Sequence, residues 1–151
     1  MKLVRFFLIF LLCFLMAGCS NEFAESEYDS TDLISQEGDR YAKVGSLFTQ
    51  NDGEYLLKVS QFDGRQTLWS SAVEVDQEIE IELSLKLSTG KAKIVHIDGD
   101  GEVHTLIECS RDTITETSST LKIQLITGKN RVKIVGYDCE DVEVKMIFSQ
   151  S

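Results

Sequence analysis

The fold is indicated most clearly by the stretch Glu78-Ile79-Glu80-Ile81-Glu82-Leu83-Ser84-Leu85-Lys86-Leu87-Ser88. Apolar and polar residues alternate along it without a break, and an extended strand places such alternating side chains on two opposite faces. One buried face and one solvated face are typical of an antiparallel sheet, because parallel strands are usually buried on both faces. The glutamates of this stretch are therefore expected to form a solvated row.

Short stretches of the same kind fill the chain from Tyr41 onward. Further strands are predicted at 43–49, 54–60, 67–75, 92–97, 103–109, 121–126, 131–135 and 142–148. Turn-forming groups such as Asp63-Gly64 and Tyr137–Asp141 separate them. Turns at intervals of about 8–12 residues predict an all-β fold over residues 41–151. The expected architecture is an antiparallel two-sheet β-sandwich with jelly-roll or immunoglobulin-like connectivity.

Composition limits the function. The 151 residues carry a formal net charge of -10, which argues against nucleic acid as a partner because phosphate binding needs positively charged surfaces. The chain has 2 histidines and none of the common catalytic motifs, namely G-x-S-x-G, a phosphate-binding loop, H-E-x-x-H or C-x-x-C. We therefore predict that the protein is not an enzyme and needs no cofactor.

The first eighteen residues have the layout of an export signal. Lys2 and Arg5 precede the uninterrupted apolar stretch Phe6–Met16, which is too short to span a bilayer as a helix but fits a secretory signal. The stretch ends in Leu15-Met16-Ala17-Gly18-Cys19. An ordinary secreted protein whose cysteine falls here by chance is the alternative to a lipid-anchored one.

This ending resembles the lipobox of bacterial lipoproteins, with Met16 where leucine is usual. The resemblance implies that residues 1–18 are a signal peptide, that cleavage occurs before Cys19 and that Cys19 carries a lipid. The expected location is the bacterial cell membrane or envelope, facing outside the cytoplasm. Removal of Lys2 and Arg5 leaves 13 basic against 25 acidic residues and a net charge of -12, which should help keep the domain off an anionic membrane.

Residues 19–40 are predicted to be an acidic linker between the lipid and the domain. Seven acidic side chains and one basic residue lie within residues 20–40, and no periodic pattern persists, which is typical of a flexible, self-repelling segment. The alternative is that Tyr28, Leu33 and Ile34 form a first strand or a short helix docked on the domain.

Cys109 and Cys139 are the two cysteines that remain in the domain. A disulfide between them is predicted, since export permits one and closing a loop of about 30 residues would stabilise the fold by roughly 3–4 kcal/mol. The alternative is two separate reduced cysteines in the core.

The aromatic residues offer a candidate ligand site. Trp69 lies among hydroxyl side chains in a predicted strand, where an indole could stack on a sugar ring, and Tyr55 and Tyr137 could extend such a platform. The alternative places Trp69 in the core of the sandwich. The run Gly128-Lys129-Asn130-Arg131-Val132-Lys133-Ile134-Val135-Gly136 is similar to strands of sugar-binding jelly-roll modules, although the similarity covers one hairpin.

The two histidines fall in one predicted hairpin. A loop of three residues, Gly99-Asp100-Gly101 with Gly101 left-handed, pairs Ile97 with Val103, His96 with His104 and Ile94 with Leu106, and this register matches apolar with apolar residues. His96 and His104 are a weak candidate for a metal site, and a solvated pair without metal is the favoured interpretation.

We therefore expect a lipid-anchored cell-envelope protein whose β-sandwich is a binding or interaction module. Its expected partners are the membrane, through a lipid on Cys19, and either a glycan or an envelope protein. The alternative function is a structural or assembly subunit of an envelope complex with no small-molecule site.

Overall fold

The computed structural model describes residues 19–113 and 115–149, with side chains described from Phe23 onward. Two helices come first, α1 (Cys19–Asp29) and α2 (Thr31–Ile34). The strands follow: β1 (Arg40–Asn51), β2 (Glu54–Val73), β3 (Gln77–Lys86), β4 (Thr89–Ile97), β5 (Val103–Ser110), β6 (Glu116–Leu125) and β7 (Gly128–Phe148). The signal peptide predicted for residues 1–18 lies outside the described residues. Within the described ranges, no helix has the length and apolar character needed to cross a membrane.

Every strand pair is antiparallel, which confirms the predicted all-β fold class. The strand order is β1-β2-β7-β3-β6, and β4 pairs with β5 and β7. The long strands β2 and β7 pair over nearly their whole lengths, so that β3 and β6 extend one end of the pair and β4 and β5 extend the other. The sheet therefore folds into two layers that share β1, β2 and β7.

The layers meet at a bend that crosses the three shared strands. Gly45 of β1 and Asp141 of β7 have left-handed φ angles of 61° and 49°, and Ser60 of β2 lies between them. Glycine and aspartate are among the residues that tolerate this conformation. At this bend, both long strands change the face that they turn toward the core. On β2, for example, Val59 and Phe62 are both buried, although an odd and an even position of a regular strand would point to opposite faces.

Two of the predicted turns are irregularities inside strands. Asp63-Gly64 lies at a register shift of β2, and the segment Tyr137–Asp141 contains the left-handed Asp138 as well as Asp141. The four strands predicted at 54–60, 67–75, 131–135 and 142–148 are therefore two long ones, β2 and β7. Turn-forming residues mark a bulge as readily as a chain reversal, because both use the same backbone conformations.

One apolar core fills the space between the layers. Ile81, Leu83 and Leu85 of β3 are buried, while Glu80 and Glu82 are exposed, as the alternation predicted. The core is completed by residues of both layers, among them Leu57, Phe62, Ile94, Ile107, Ile134 and Met146. Because β5 contacts both β3 and β6, the two layers are packed against each other.

The predicted disulfide is wrong, and the alternative of two reduced core cysteines is confirmed. Cys109 of β5 pairs with Ala92 of β4, and Ala92 pairs with Gly136 of β7. Two interstrand spacings, roughly 9–10 Å, therefore separate the chains of Cys109 and Cys139, which exceeds the distance that a disulfide bridges. The thiol of Cys109 donates to Leu85 O at 3.3 Å and that of Cys139 to Lys91 O at 3.0 Å.

The segment predicted to be a flexible linker is docked on the domain, as its alternative stated. Tyr28 of α1 and Ile34 of α2 are buried against Val95, Ile97 and Val135, on the face of β4 and β7 that points away from the main core. The hydroxyl of Tyr28 also donates to Glu108 of β5 at 2.6 Å. Two apolar anchors and this hydrogen bond overcome the self-repulsion of the acidic side chains.

Buried cations of the sheet hold the same segment in place. Glu27 of α1 forms an ion pair with Arg65 of β2, and both side chains are buried. Arg131 donates to Ser35 O at 2.8 Å, and Lys133 donates to Gln36 O at 2.6 Å. Burial lowers the pKa of Lys133 to about 8. The acidic segment therefore supplies oxygen atoms to cations that the fold has removed from water.

Candidate functional site

A cleft opens between the layers along the edge formed by β5 and β6. Its cavity volume is about 350 Å³. The β4–β5 hairpin supplies one wall and β6 with the residue after it supplies the other. The lining residues are His96, Asp98, His104, Leu106, Lys122, Ile123, Gln124 and Ile126. The cleft is therefore a concave surface with both polar and apolar side chains, and residues of the core form its base.

The β4–β5 hairpin places both histidines on the cleft. His96 is paired with His104 and Ile97 with Val103, which confirms the predicted register. Gly101 is left-handed, with φ of 87°, as the three-residue loop required. The prediction fails farther from the loop: Ile94 pairs with Ile107, because Leu106 of β5 is an extra, unpaired residue opposite the step from Ile94 to Val95.

Asn130 fixes His96 at the base of the cleft. The side-chain amide of Asn130 donates to Ile126 O at 2.7 Å and to Gly128 O at 3.2 Å, which leaves its oxygen as an acceptor. That oxygen accepts from Ile126 N–H and lies 3.2 Å from His96 Nε2. The network therefore assigns the His96 proton to Nε2 and leaves Nδ1 as an acceptor. Burial lowers the pKa of His96 from 6.5, so the ring is neutral at pH 7.

Asp98 fixes the second ring at the rim. Asp98 Oδ2 lies 3.0 Å from His104 Nε2, and Asp98 Oδ1 accepts from the backbone N–H groups of Asp100 and Glu102 at 3.0 Å each. Burial acts to raise the pKa of Asp98, but these hydrogen bonds outweigh it and lower the pKa. Asp98 is therefore a carboxylate that orients the exposed ring of His104.

The opposite wall is built by β6, and sequence reasoning missed its contribution. Lys122 and Gln124 are exposed beside the cleft, and Lys122 donates to Glu78 of β3 at 2.8 Å. This hydrogen bond raises the pKa of Lys122. The alternation of residues 121–126 predicted the strand and the burial of Ile123. Lys122 and Gln124 lie on the outer face that β6 shares with Glu78 of β3, so they border the cleft only at its rim. Asn130 was noted only as part of the run Gly128–Gly136, and its contact with His96 was not predicted.

The predicted aromatic platform is not assembled. Trp69 and Tyr55 do come together, but around Phe148, with ring centroids 4.8 Å and 5.7 Å from it. This group packs against the core, and Tyr55 is buried. Tyr137 lies on the opposite face of the sheet, packed against the helix-covered cluster. The register shift between Thr67 and Trp69 turns the indole toward the core, on the face opposite Thr67.

The geometry gives little support to a metal site at His96 and His104. The Nε2 atoms of His96 and His104 are each used in a hydrogen bond, to Asn130 and Asp98. Over residues 19–113 and 115–149, no group of three or more His, Cys, Asp or Glu side chains is arranged to hold a metal ion. The imidazoles are therefore considered as hydrogen-bonding and stacking groups.

A second, shallower groove lies on the outer face of β3, β6 and β7. Its cavity volume is about 420 Å³, and it is lined mainly by Glu82, Ser84, Ser118, Thr120 and Lys145. Its polar groups lie on an open sheet face, and no buried polar network supports them. The cleft is the more strongly organised of the two sites.

Comparisons with known proteins identify a loose likeness to carbohydrate-binding folds. No family model and no curated protein match this chain. A carbohydrate binding module from Cellvibrio mixtus lichenase 5A, solved with cellotriose, is 12% identical with a TM-score of 0.41 over 74% of this chain and 90% of that one. A family 29 carbohydrate binding module with mannohexaose has the same identity and TM-score, over 74% and 79%.

An exo-β-1,3-galactanase from Phanerochaete chrysosporium with β-1,3-galactotriose is 14% identical with a TM-score of 0.39. The likeness covers 75% of this chain and 28% of that enzyme. At these identities and TM-scores, the function has to be argued from this chain's own residues.

Proposed function

We propose that this protein is a lipid-anchored module of the bacterial cell envelope that binds a glycan in the cleft between β5 and β6. The observation that carries the proposal is the pair of oriented imidazoles, His96 and His104, in a concave site with charged, amide and apolar groups. The module faces outside the cytoplasm and is attached through Cys19.

The leader supports the location. The basic start at Lys2 and Arg5, the apolar stretch Phe6–Met16 and the small residues before Cys19 together satisfy the requirements of an export signal that ends in a lipidated cysteine.

The cleft chemistry suits a sugar. Sugars present hydroxyl groups, which need both donors and acceptors, and C–H faces, which pack on flat or apolar groups. Asp98 supplies an acceptor and the ring of His104 a further polar group, while the Gln124 amide and Lys122, which donates to Glu78, lie at the rim. The exposed ring of His104 and the side chain of Leu106 supply the apolar contacts. A volume of about 350 Å³ falls within the range of small-ligand sites, roughly 300–1,000 Å³.

The residues that line the cleft favour binding of a glycan without its hydrolysis. Hydrolysis of glycosides ordinarily uses two opposed carboxyl groups, and the described residues of the cleft include one, Asp98. The same lining contains no serine, threonine or cysteine that His104 could activate. A neutral buried histidine and an immobilised carboxylate are suited to holding a ligand in one orientation.

A glycan array probed with the lipidated protein in detergent micelles tests the proposal. The best oligosaccharide is then titrated by calorimetry into the wild type, His104→Ala and Lys145→Ala. We expect binding that His104→Ala weakens at least about tenfold, which corresponds to about 1.4 kcal/mol, while Lys145→Ala in the outer groove leaves it unchanged. Unchanged affinity in His104→Ala, or no binding on the array, would remove the cleft from the account.

A further inference from the structure

The exposed apolar side chains of this protein are concentrated on one edge strand. Among the described residues, five large hydrophobic side chains are exposed, and four of them belong to β1. They are Tyr41, Val44, Leu47 and Phe48, with exposed fractions of 43%, 59%, 53% and 40%. The fifth, Val75, is 69% exposed and lies between β2 and β3. Such a concentration on one strand marks an interaction surface.

The same strand has the opposite charge to the rest of the chain. β1 contains Arg40 and Lys43 and no acidic residue, although the chain from Cys19 onward has a net charge of -12. The expectation that net charge keeps the domain off an anionic surface therefore does not extend to β1, and the partner that fits this strand is both apolar and anionic. An anionic lipid bilayer has this combination, because basic residues are attracted to its headgroups and apolar residues to the layer beneath.

The position of Cys19 favours the bilayer over other partners. Helix α1 begins at Cys19, and its Phe23 ring lies 3.3 Å from the guanidinium carbon of Arg40 at the start of β1. Four residues of helix separate Cys19 from Phe23, which is about 6 Å. A lipid on Cys19 would therefore enter the membrane close to the first residue of β1.

We propose that the free edge of β1 rests on the lipid surface, with Tyr41, Val44, Leu47 and Phe48 in the headgroup region. This inference rests on the proposed lipidation of Cys19. Leu47 lies on the same face of the sheet as Lys58, and Phe48 lies on the opposite face, with Leu57. Side chains of both faces can reach the bilayer together only when the edge of the sheet points toward it. The unpaired backbone groups of the edge remain hydrated at that depth.

Pairing with the β1 edge of a second copy is the competing arrangement. The left-handed Gly45, with φ of 61°, interrupts the extended backbone in the middle of the strand. Such an interruption opposes regular addition of another strand. The bilayer requires no regular hydrogen-bond register, and the interruption does not affect it.

The orientation has a consequence for the cleft. In both layers β1 occupies one edge, while β5 and β6 occupy the other. Four interstrand spacings of roughly 4.8 Å, about 19 Å in all, separate the two edges of each layer. Contact of β1 with the lipid therefore turns the cleft away from the membrane, toward ligands outside it.

Quenching by brominated lipids tests the arrangement on the lipidated, full-length mature protein. Val44→Trp and Val75→Trp each add one tryptophan at an exposed valine, and the wild type with Trp69 gives the background. Vesicles contain phosphatidylcholine and phosphatidylglycerol brominated at shallow chain positions. Lipidation is verified for each sample by mass and by partition into detergent.

We expect the tryptophan at position 44 to be quenched severalfold more than that at position 75. Equal quenching in verified lipidated protein would overturn the orientation and leave the lipid anchor intact. Protein without lipid would overturn both. A vesicle-bound dimer crosslinked through β1, with no preferential quenching at position 44, would assign the strand to a second copy and overturn the proposal.

Discussion

His96 and His104 lie directly opposite each other on β4 and β5, with ring centroids 5.9 Å apart and planes inclined by 28°. The two rings differ in environment, since His96 is buried on Asn130 and His104 is exposed beside Asp98. The pair therefore connects the interior of the sandwich with the open rim of the cleft. His96 makes the site rigid, and His104 is available to a ligand.

The stability of the fold should fall in mild acid because of His96. Burial lowers its pKa in the folded state below 6.5, so the unfolded chain takes up a proton at a higher pH than the folded protein does. The stabilisation is fully present above pH 6.5 and is lost as the pH falls through the folded pKa. Urea unfolding at pH 7.5 and pH 5 should show this loss, and His96→Gln should reduce it. An equal loss in wild type and variant would contradict the assignment.

Asn130→Ala should destabilise the protein by about 3 kcal/mol or more, because it leaves the N–H and C=O of Ile126 and the ring of His96 without their buried partner. Gln77→Ala, an exposed amide at the start of β3, is the matched control and should change the unfolding free energy by less than about 0.5 kcal/mol. Equilibrium unfolding in urea measures both. Similar small effects of the two changes would show that the Asn130 network is not formed.

Cys109 and Cys139 should behave as protected thiols. Burial raises the pKa of Cys109, and it raises that of Cys139 to about 12, so alkylation of the native protein should be slow. After denaturation without reductant, intact mass should show two alkylated thiols in the domain. A mass that shows none until reductant is added would establish the disulfide that the structure excludes.

Glu27→Gln should release the helical segment from the sheet. The change leaves Arg65 buried without its counter-charge, and breaking a buried ion pair costs about 3–5 kcal/mol. Limited proteolysis should then cut within residues 19–39 much faster than in the wild type, and thermal unfolding should begin earlier. Glu25→Gln, on the exposed side of α1, is the control and should leave both unchanged. Equal effects of the two would mean that the ion pair does not hold the helix.

The sequence predicts best what depends on short-range pattern. The buried face of β3 follows from its alternation, and the His96–His104 pairing follows from apolar matching around a loop whose glycine can adopt the left-handed conformation. The matching fails at Ile94, where a bulge changes the register. A bulge adds a residue without changing the composition of the strand, so that alternation alone does not reveal it.

The docked segment could not be predicted because its partners are distant in the sequence. In the sequence, Glu27 cannot be distinguished from the other acidic residues around it, and only the fold brings Arg65 into contact with it. In the same way, the fold brings Gln36 to Lys133 of β7, which donates to its carbonyl oxygen. The cysteine pair failed for the same reason, since only the strand order shows that β4 lies between Cys109 and Cys139. The walls of the cleft likewise come from strands that meet only after the sheet has folded into two layers.

NMR mapping of a bound oligosaccharide shows directly whether a glycan occupies the cleft. The isotope-labelled, lipidated protein in micelles is titrated with the strongest ligand from the array while backbone amide and imidazole resonances are followed. We expect saturable shifts at residues 96–106 and 121–126, including both histidine rings, with residues 82–84 and 143–147 unaffected. Shifts confined to the outer groove of Glu82 and Lys145, or to the strands around Trp69, would contradict it.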